Sequence, residues 1–288
     1  MQAACDIARY TSRDEYAGLA DPGRLAKLIP DLDLYHPWDI DAGHAIELAT
    51  ECEDAARAVD PRIDNSEGGT LSSYVGLRVK GNSNGFLGGY RTSYHSLSCA
   101  VVGRQGDEMQ RDYWSEGARD RHDLPSPAVI GRRAGERTLR RLGARQISTR
   151  QAPVIIAAET AGSLFRNFIQ AISGSALYRK STFLLDHLGK PVFPDFMRIH
   201  EQPLLPKGLG SVPYDAEGVA TAPRDIVTDG VLQGYVLNSY AARKLGMETT
   251  GNAGGVHNLT IDPGDKDLPA LLQAMNTGLL VTEFIGFG

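Results

Sequence analysis

A chain of 288 residues, 42% apolar and 23% charged, can bury a sizeable core, and its length suggests about two domains. The formal charge of −5 argues against a nucleic-acid binder, which needs a basic surface, and no apolar run approaches the roughly 20 residues of a membrane helix. Met1–Arg9 lacks the basic start and apolar core of a signal peptide, and Cys5, Cys52 and Cys99 form an odd, widely spaced set, so a reducing, cytoplasmic setting is expected.

Met1–Tyr10 reads as the end of a helix with no capping residue before it. Residues 11–37 are loop-like, with turns at Asp21-Pro22-Gly23 and Ile29-Pro30-Asp31, and Tyr35-His36-Pro37-Trp38 is an extended link. Asp41 caps a helix to about Val59, with Ile46, Ala49, Cys52, Ala55, Ala56 and Val59 as its apolar stripe and His44 exposed. From 62 to 120 apolar residues alternate. Tyr74, Gly76–Val79, Leu87–Tyr90 and Leu97–Val102 read as strands of an antiparallel meander, with turns at Gly68-Gly69, Asn82–Gly85 and Gln105–Asp107. Its polar face would hold Arg78, Lys80, Arg91 and Ser93; Tyr90, Tyr94 and His95 could line a groove or pack as cross-strand pairs. Ser126-Pro127 opens a helix to about Leu142. Its Arg133, Arg137, Arg140 and Arg141 share a face that suits pairing with nearby acids, docking of an acidic partner or, against the overall acidity, nucleic acid. Residues 146–151 then mark a domain boundary.

The pivotal stretch is 152–190. Pro153–Ala158 is an apolar strand-type run, Glu159–Ser163 a polar break, and Leu164, Phe165, Phe168, Ile169 and Ile172 the buried stripe of a helix ended by Gly174-Ser175. The segment from Tyr178 to Thr182 is polar and basic. A strand turning into a helix is a common mount for catalytic groups, but its polar positions hold Arg166, Asn167 and Gln170. Beyond it, Val192–His200 is a strand candidate, Pro203–Pro213 a loop, and Ile226–Leu237 a hairpin turning at Thr228-Asp229-Gly230. Asn238 and Gly246 bracket a short helix, 249–258 is a glycine-rich loop, Asp267–Met275 a helix and Gly278–Ile285 a last strand, before the chain stops at Gly286-Phe287-Gly288.

Seven motifs stand in order along the chain: Asp6–Ser12, Tyr178–Asp186, Lys207-Gly208-Leu209, Asp215–Val219, Ser239–Gly246, Thr250–Asn258, and Thr277-Gly278-Leu279 with Val281-Thr282-Glu283. Together they resemble the PmbA (TldE) branch of the TldD/PmbA family, over nearly the whole chain. The resemblance implies an α+β fold of antiparallel sheets with flanking helices, in two domains, 1–148 and 149–288. Both are expected to be incomplete, because family members extend further at each end. It also implies one half of a TldD–TldE heterodimer that cleaves unfolded or flexible peptides with zinc. In the TldD subunit a His-Glu-x-x-x-His helix and a distant cysteine hold that zinc. Here Arg166, Asn167 and Ala171 take the places of the first His, the Glu and the second His. The implied chain therefore has no catalytic residue and no metal ligand of its own, and zinc belongs to a TldD-type partner. Arg166, Asn167, Gln170, Tyr178, Arg179, Lys180, His257 and Asn258 are the candidates to face substrate or partner. Two other readings stand beside this one: a metal-free peptide-binding or scaffold protein without a TldD partner, and an enzyme of another class using His257 or His95 with a nearby carboxylate.

Overall fold

The structure is a computed structural model and describes residues 2–284. Met1, Ile285 as the expected strand end and the Gly286–Gly288 stop lie outside these residues. Helix α1 (Gln2–Tyr10) opens the chain, and the Asp41 carboxylate accepts the His44 amide to start α2 (Ala42–Arg57). Strands β1 (Ile63–Gly81), β2 (Leu87–Gln105) and β3 (Glu108–Ala118) form the antiparallel meander in sequence order. Two of its predicted turns are present; the third is not. Gly68, at φ 99°, sits at a register shift that leaves Glu67 as the extra residue, while Gly69 pairs regularly with Cys99, so β1 runs through a bulge at this point.

Helix α3 (Pro127–Arg141) crosses α2 on one face of the meander, closing a core of Cys52, Ala56, Ile63, Leu97, Cys99, Val101, Ile130 and Ala134. The helices touch through backbone: a Cβ at Gly131 would overlap the Cys52 carbonyl, and one at Gly135 would lie 2.6 Å from the Ala56 carbonyl. So narrow a contact leaves Ile46, expected in the apolar stripe, 65% exposed.

The second half carries β4 (Val154–Ile156), α4 (Ala158–Ala171), α5 (Gly174–Tyr178), β5 (Ile199–Glu201), β6 (Arg224–Thr228), β7 (Val231–Leu232), α6 (Ser239–Leu245), β8 (Leu259–Ile261), α7 (Leu268–Met275) and β9 (Leu279–Val281). β7-β6-β5-β8 is an antiparallel sheet, while β4 and β9 pair in parallel. Ile172, Leu177, Ile199, Ile226, Leu232 and Leu237 center its core. Four readings need correction. The polar run Glu159–Ser163 belongs to α4, which starts at Ala158 because the Ala157 carbonyl already accepts the amides of Thr160 and Ala161. Ser173 caps a further helix, α5, so the chain stays helical past Gly174-Ser175. Val192–Arg198 is not a strand, since Pro194 interrupts it and only Ile199–Glu201 joins the sheet. β7 ends at Leu232, and Gln233–Leu237 continues as buried irregular chain.

Several joints tie the halves together, and three of them are as follows. A cluster of Ala20, Leu25, Phe86, Tyr214 and Val219 packs the tip of the β1–β2 hairpin against the second half. Lys207 reaches Asp120 at 2.9 Å. The arginine face of α3 meets acids of its own chain: Arg137 pairs with Glu159 at 3.2 Å and Asp112 at 3.5 Å, Arg141 pairs with Glu283, and Arg133 stacks 3.6 Å over the Trp114 ring. Within the first half, residues 34–38 lie as a strap across β2. The Ser93 amide donates to the Leu34 carbonyl, the His36 amide donates to Ser93 Oγ, and His95 Nε2 donates to the His36 carbonyl. Ser93, expected on the polar face, is thereby wholly buried.

Candidate functional site

Six of the eight predicted site residues come from one local turn of chain. α4 ends at Ile172, whose side chain is buried, and the chain folds back into α5 through Ser173, whose hydroxyl accepts the Ala176 amide. The fold-back leaves the outer faces of both helices in solvent. It lines a cleft of about 630 Å³ with Asn167, Gln170, Ala171, Arg179, Lys180 and Phe183. A smaller cleft of about 310 Å³ shares Gln170 and adds Arg166, Tyr178, Asn238 and Tyr240. Lys180 holds φ at 56°, just past the end of α5. Among the described residues, no carboxylate lies within 4.0 Å of the charged groups of Arg166, Arg179 or Lys180. Asn167 donates to the Ser163 carbonyl at 3.1 Å.

Tyr178 packs edge-on to Tyr240, and Lys244 lies 4.8 Å from the Tyr16 ring, 5.4 Å from Tyr240 and 6.0 Å from Tyr178. Tyr240 donates to Asp14 at 2.6 Å; that bond pushes the phenol's pKa up and holds the Asp14 carboxyl below its usual range. This aromatic cage for an ammonium was not legible in the sequence, because Tyr16 lies more than two hundred positions from Tyr240 and Lys244.

His257 and Asn258 lie elsewhere. The glycine-rich loop is a partition: Asn252 and Gly255 face the smaller cleft, while Ala253, Gly254, Val256 and His257 face a groove on the other side. Asn258 braces the chain. It accepts the Gly210 amide and donates to the Gln202 carbonyl and Ser211 Oγ at 2.8, 2.8 and 2.6 Å. Below the loop sits a buried ionic network. Glu201 accepts from Arg224 Nε at 2.9 Å, from Asn252 Nδ2 at 2.7 Å and from the His257 amide at 2.6 Å. Full pairing of this kind is what lets a carboxylate stay inside a protein. Its sequence signal was an acid and a base each at the end of an apolar strand run.

The other histidine candidate makes no acid–base pair. His95 is fully buried, with Nε2 on a carbonyl and Nδ1 on Ser73 Oγ at 2.9 Å. Nor does the helix suit a metal. Arg166 is a cation, Asn167 a neutral amide and Ala171 a methyl, so the three positions offer no imidazole and no carboxylate. Among the described residues, no group of three His, Cys, Asp or Glu side chains could hold a metal ion. Among the described residues, no helix is long and apolar enough to cross a membrane.

Residues 35–142 match the PmbA/TldA metallopeptidase central domain, and 149–288 match the PmbA/TldA metallopeptidase C-terminal domain. The chain is 50% identical over its whole length to Metalloprotease PmbA of Escherichia coli O157:H7, and spans 64% of that protein. A crystal structure from Bacteroides thetaiotaomicron, described as a modulator of DNA gyrase, superposes with a TM-score of 0.92 at 32% identity, covering 99% of this chain and 65% of that one. TldE from Thermococcus kodakarensis shares the fold, with a TM-score of 0.82 at 23% identity over 99% of this chain and 66% of its own. The chain belongs to the TldD/PmbA metallopeptidase family, on its PmbA branch.

Proposed function

We propose that this chain is the non-catalytic, TldE/PmbA-type subunit of a heterodimeric TldD–TldE zinc metallopeptidase that processes or degrades flexible peptides in the cytoplasm. The observation that carries this reading is α4. By the family resemblance it corresponds to the zinc helix of a TldD subunit, and it carries Arg166, Asn167 and Ala171 where that resemblance calls for two ligands and a base. Those residues do not fit a resident zinc, so no hydrolytic step is assigned to them. Their part is to bind and orient: Arg166, Arg179 and Lys180, with no carboxylate within 4.0 Å among the described residues, put cations beside the clefts, and Asn167 and Gln170 add amide groups that can meet a peptide backbone. In the same reading the chain divides into units 1–148 and 149–288, with α4 opening the second.

The test is a cleavage assay on an unstructured peptide, with metal analysis, using this protein alone, a TldD-type subunit alone and the two together. Chelator-sensitive cleavage only in the mixture is the expected result. Chelator-resistant cleavage by this protein alone overturns it. Failure to associate with any TldD-type subunit, with peptide binding retained, moves the protein to a metal-free binding or scaffold role.

A further inference from the structure

The groove beside His257 has a volume of about 680 Å³ and lies between the β1–β2 hairpin and the loops 209–216 and 253–257. Arg78, Lys80 and Arg119 line it together, and among the described residues none of the three has a carboxylate within 4.0 Å. Arg119 is fixed in place by donating to the carbonyls of Ser93, Gly208 and Leu209, which leaves two of its five N–H groups available. Burial, and then the charge of Arg78, pull its guanidinium below the ordinary arginine range. Two guanidinium groups held this close repel each other until something negative joins them.

A second observation points the same way. Two wall residues each carry a buried polar atom with no hydrogen-bond partner among the described residues: the Tyr214 hydroxyl and His257 Nε2, on residues 6% and 9% exposed. Buried polar groups are ordinarily satisfied, so a pair of orphans lining one groove marks a place for a ligand with oxygen atoms. The one wall carboxylate, Asp215, is already held by the amides of Glu217, Val219 and Ala253 at 2.8, 2.9 and 2.9 Å.

We propose that this groove is a carboxylate-binding subsite for an extended peptide, with Arg78, Lys80 and Arg119 supplying the charge and Tyr214 and His257 the hydrogen bonds. The inference rests on the peptide-acting reading above and narrows it to acidic peptides. The carboxylate is that of an Asp or Glu side chain or of the peptide's own C-terminus; both present the same two oxygens to a guanidinium.

The experiment is equilibrium binding of fluorescent peptides of one common unstructured sequence. They carry either Glu or Gln at the center, and end in either a free carboxylate or an amide. The wild-type protein should bind a carboxylate form about tenfold more tightly than its amide counterpart, the ordinary size of a charge-assisted hydrogen bond. The pair that shows the difference identifies the source. R78Q should erase that preference while leaving the amide peptides bound as before. Y214F, which removes a hydroxyl that satisfies nothing in the free protein, should weaken carboxylate peptides without lowering the melting temperature. Equal affinity for acid and amide peptides, no peptide binding, or a preference that survives R78Q overturns the proposal. Neither metal nor partner takes part in this measurement. Carboxylate preference without partner-dependent cleavage would therefore sink the heterodimer reading alone, and cleavage without the preference would sink the subsite alone.

Discussion

Arg224 donates through Nε to Glu201 at 2.9 Å while its other nitrogens hold the Tyr235 carbonyl and Asn252 Oδ1, so one guanidinium organises strand β6, the 233–237 segment and the glycine-rich loop. The Glu201 side chain is 2% exposed, and removal of its partner strands a charge in the interior. R224A is expected to cost roughly 3–5 kcal/mol, the usual penalty for breaking a buried pair. Urea denaturation measures it; a loss below about 1 kcal/mol would mean water replaces the guanidinium.

Gly131 offers a contrast of position within one residue type. G131A must push α3 off the Cys52 carbonyl and is expected to cost about 1–3 kcal/mol by overpacking. G162A, in α4 with nothing within 4 Å of its added Cβ, is expected to gain about 0.5–1 kcal/mol from helix propensity. Opposite signs in paired thermal melts check the reading.

Asp120 governs part of the acid limb of stability. The His122 amide, and then Lys207, hold its carboxyl at about 2, below its ordinary 3.8. A lowered folded-state pKa gives stability that is present above the unfolded value and lost as pH falls through the folded one. The contribution should therefore fade between about 3.8 and 2, and D120N should flatten that stretch of the curve. Asp215 runs the other way. Burial raises its pKa, so in the folded state it is more easily protonated, and its effect on stability falls as pH rises above the usual aspartate range. Denaturant midpoints recorded against pH for wild type, D120N and D215N separate the two limbs.

The arginine face of α3 is expected to show graded losses. Arg137, whose side chain is 17% exposed, bridges Asp112 and Glu159, and R137A should cost about 1–3 kcal/mol. Arg140 has no carboxylate within 4.0 Å among the described residues, and R140A should fall within about 0.5 kcal/mol of wild type. Limited proteolysis in the 143–152 link should quicken in R137A and not in R140A, because only the former loosens α4 from the first half.

The local signals in the sequence were reliable where the chemistry was local. The caps at Asp41 and Asn238 and the left-handed Gly246 stand where the residue types placed them. Arg166, Asn167, Gln170, Tyr178, Arg179 and Lys180 meet around one fold-back because fewer than twenty residues separate them. The errors arose where distant chain decides the outcome. Ser93 alternates like a solvent-facing residue, yet a strap from positions 34–38 covers it. Arg119 and Tyr214 come from opposite halves, and no spacing along the chain relates them. Gly68-Gly69 was misread for a different reason, since glycine serves a bulge as well as a turn.

That strap has a kinetic meaning. His95 Nε2 and the Ser93 amide have their hydrogen-bonding partners in segment 34–38, and peeling the segment away alone would leave both without a protein partner. Lifting it and dissolving the meander should therefore be a single cooperative event. Deuterium uptake at the Ser93 amide should report the same opening free energy as the middle of β2, with no earlier, cheaper fraying step.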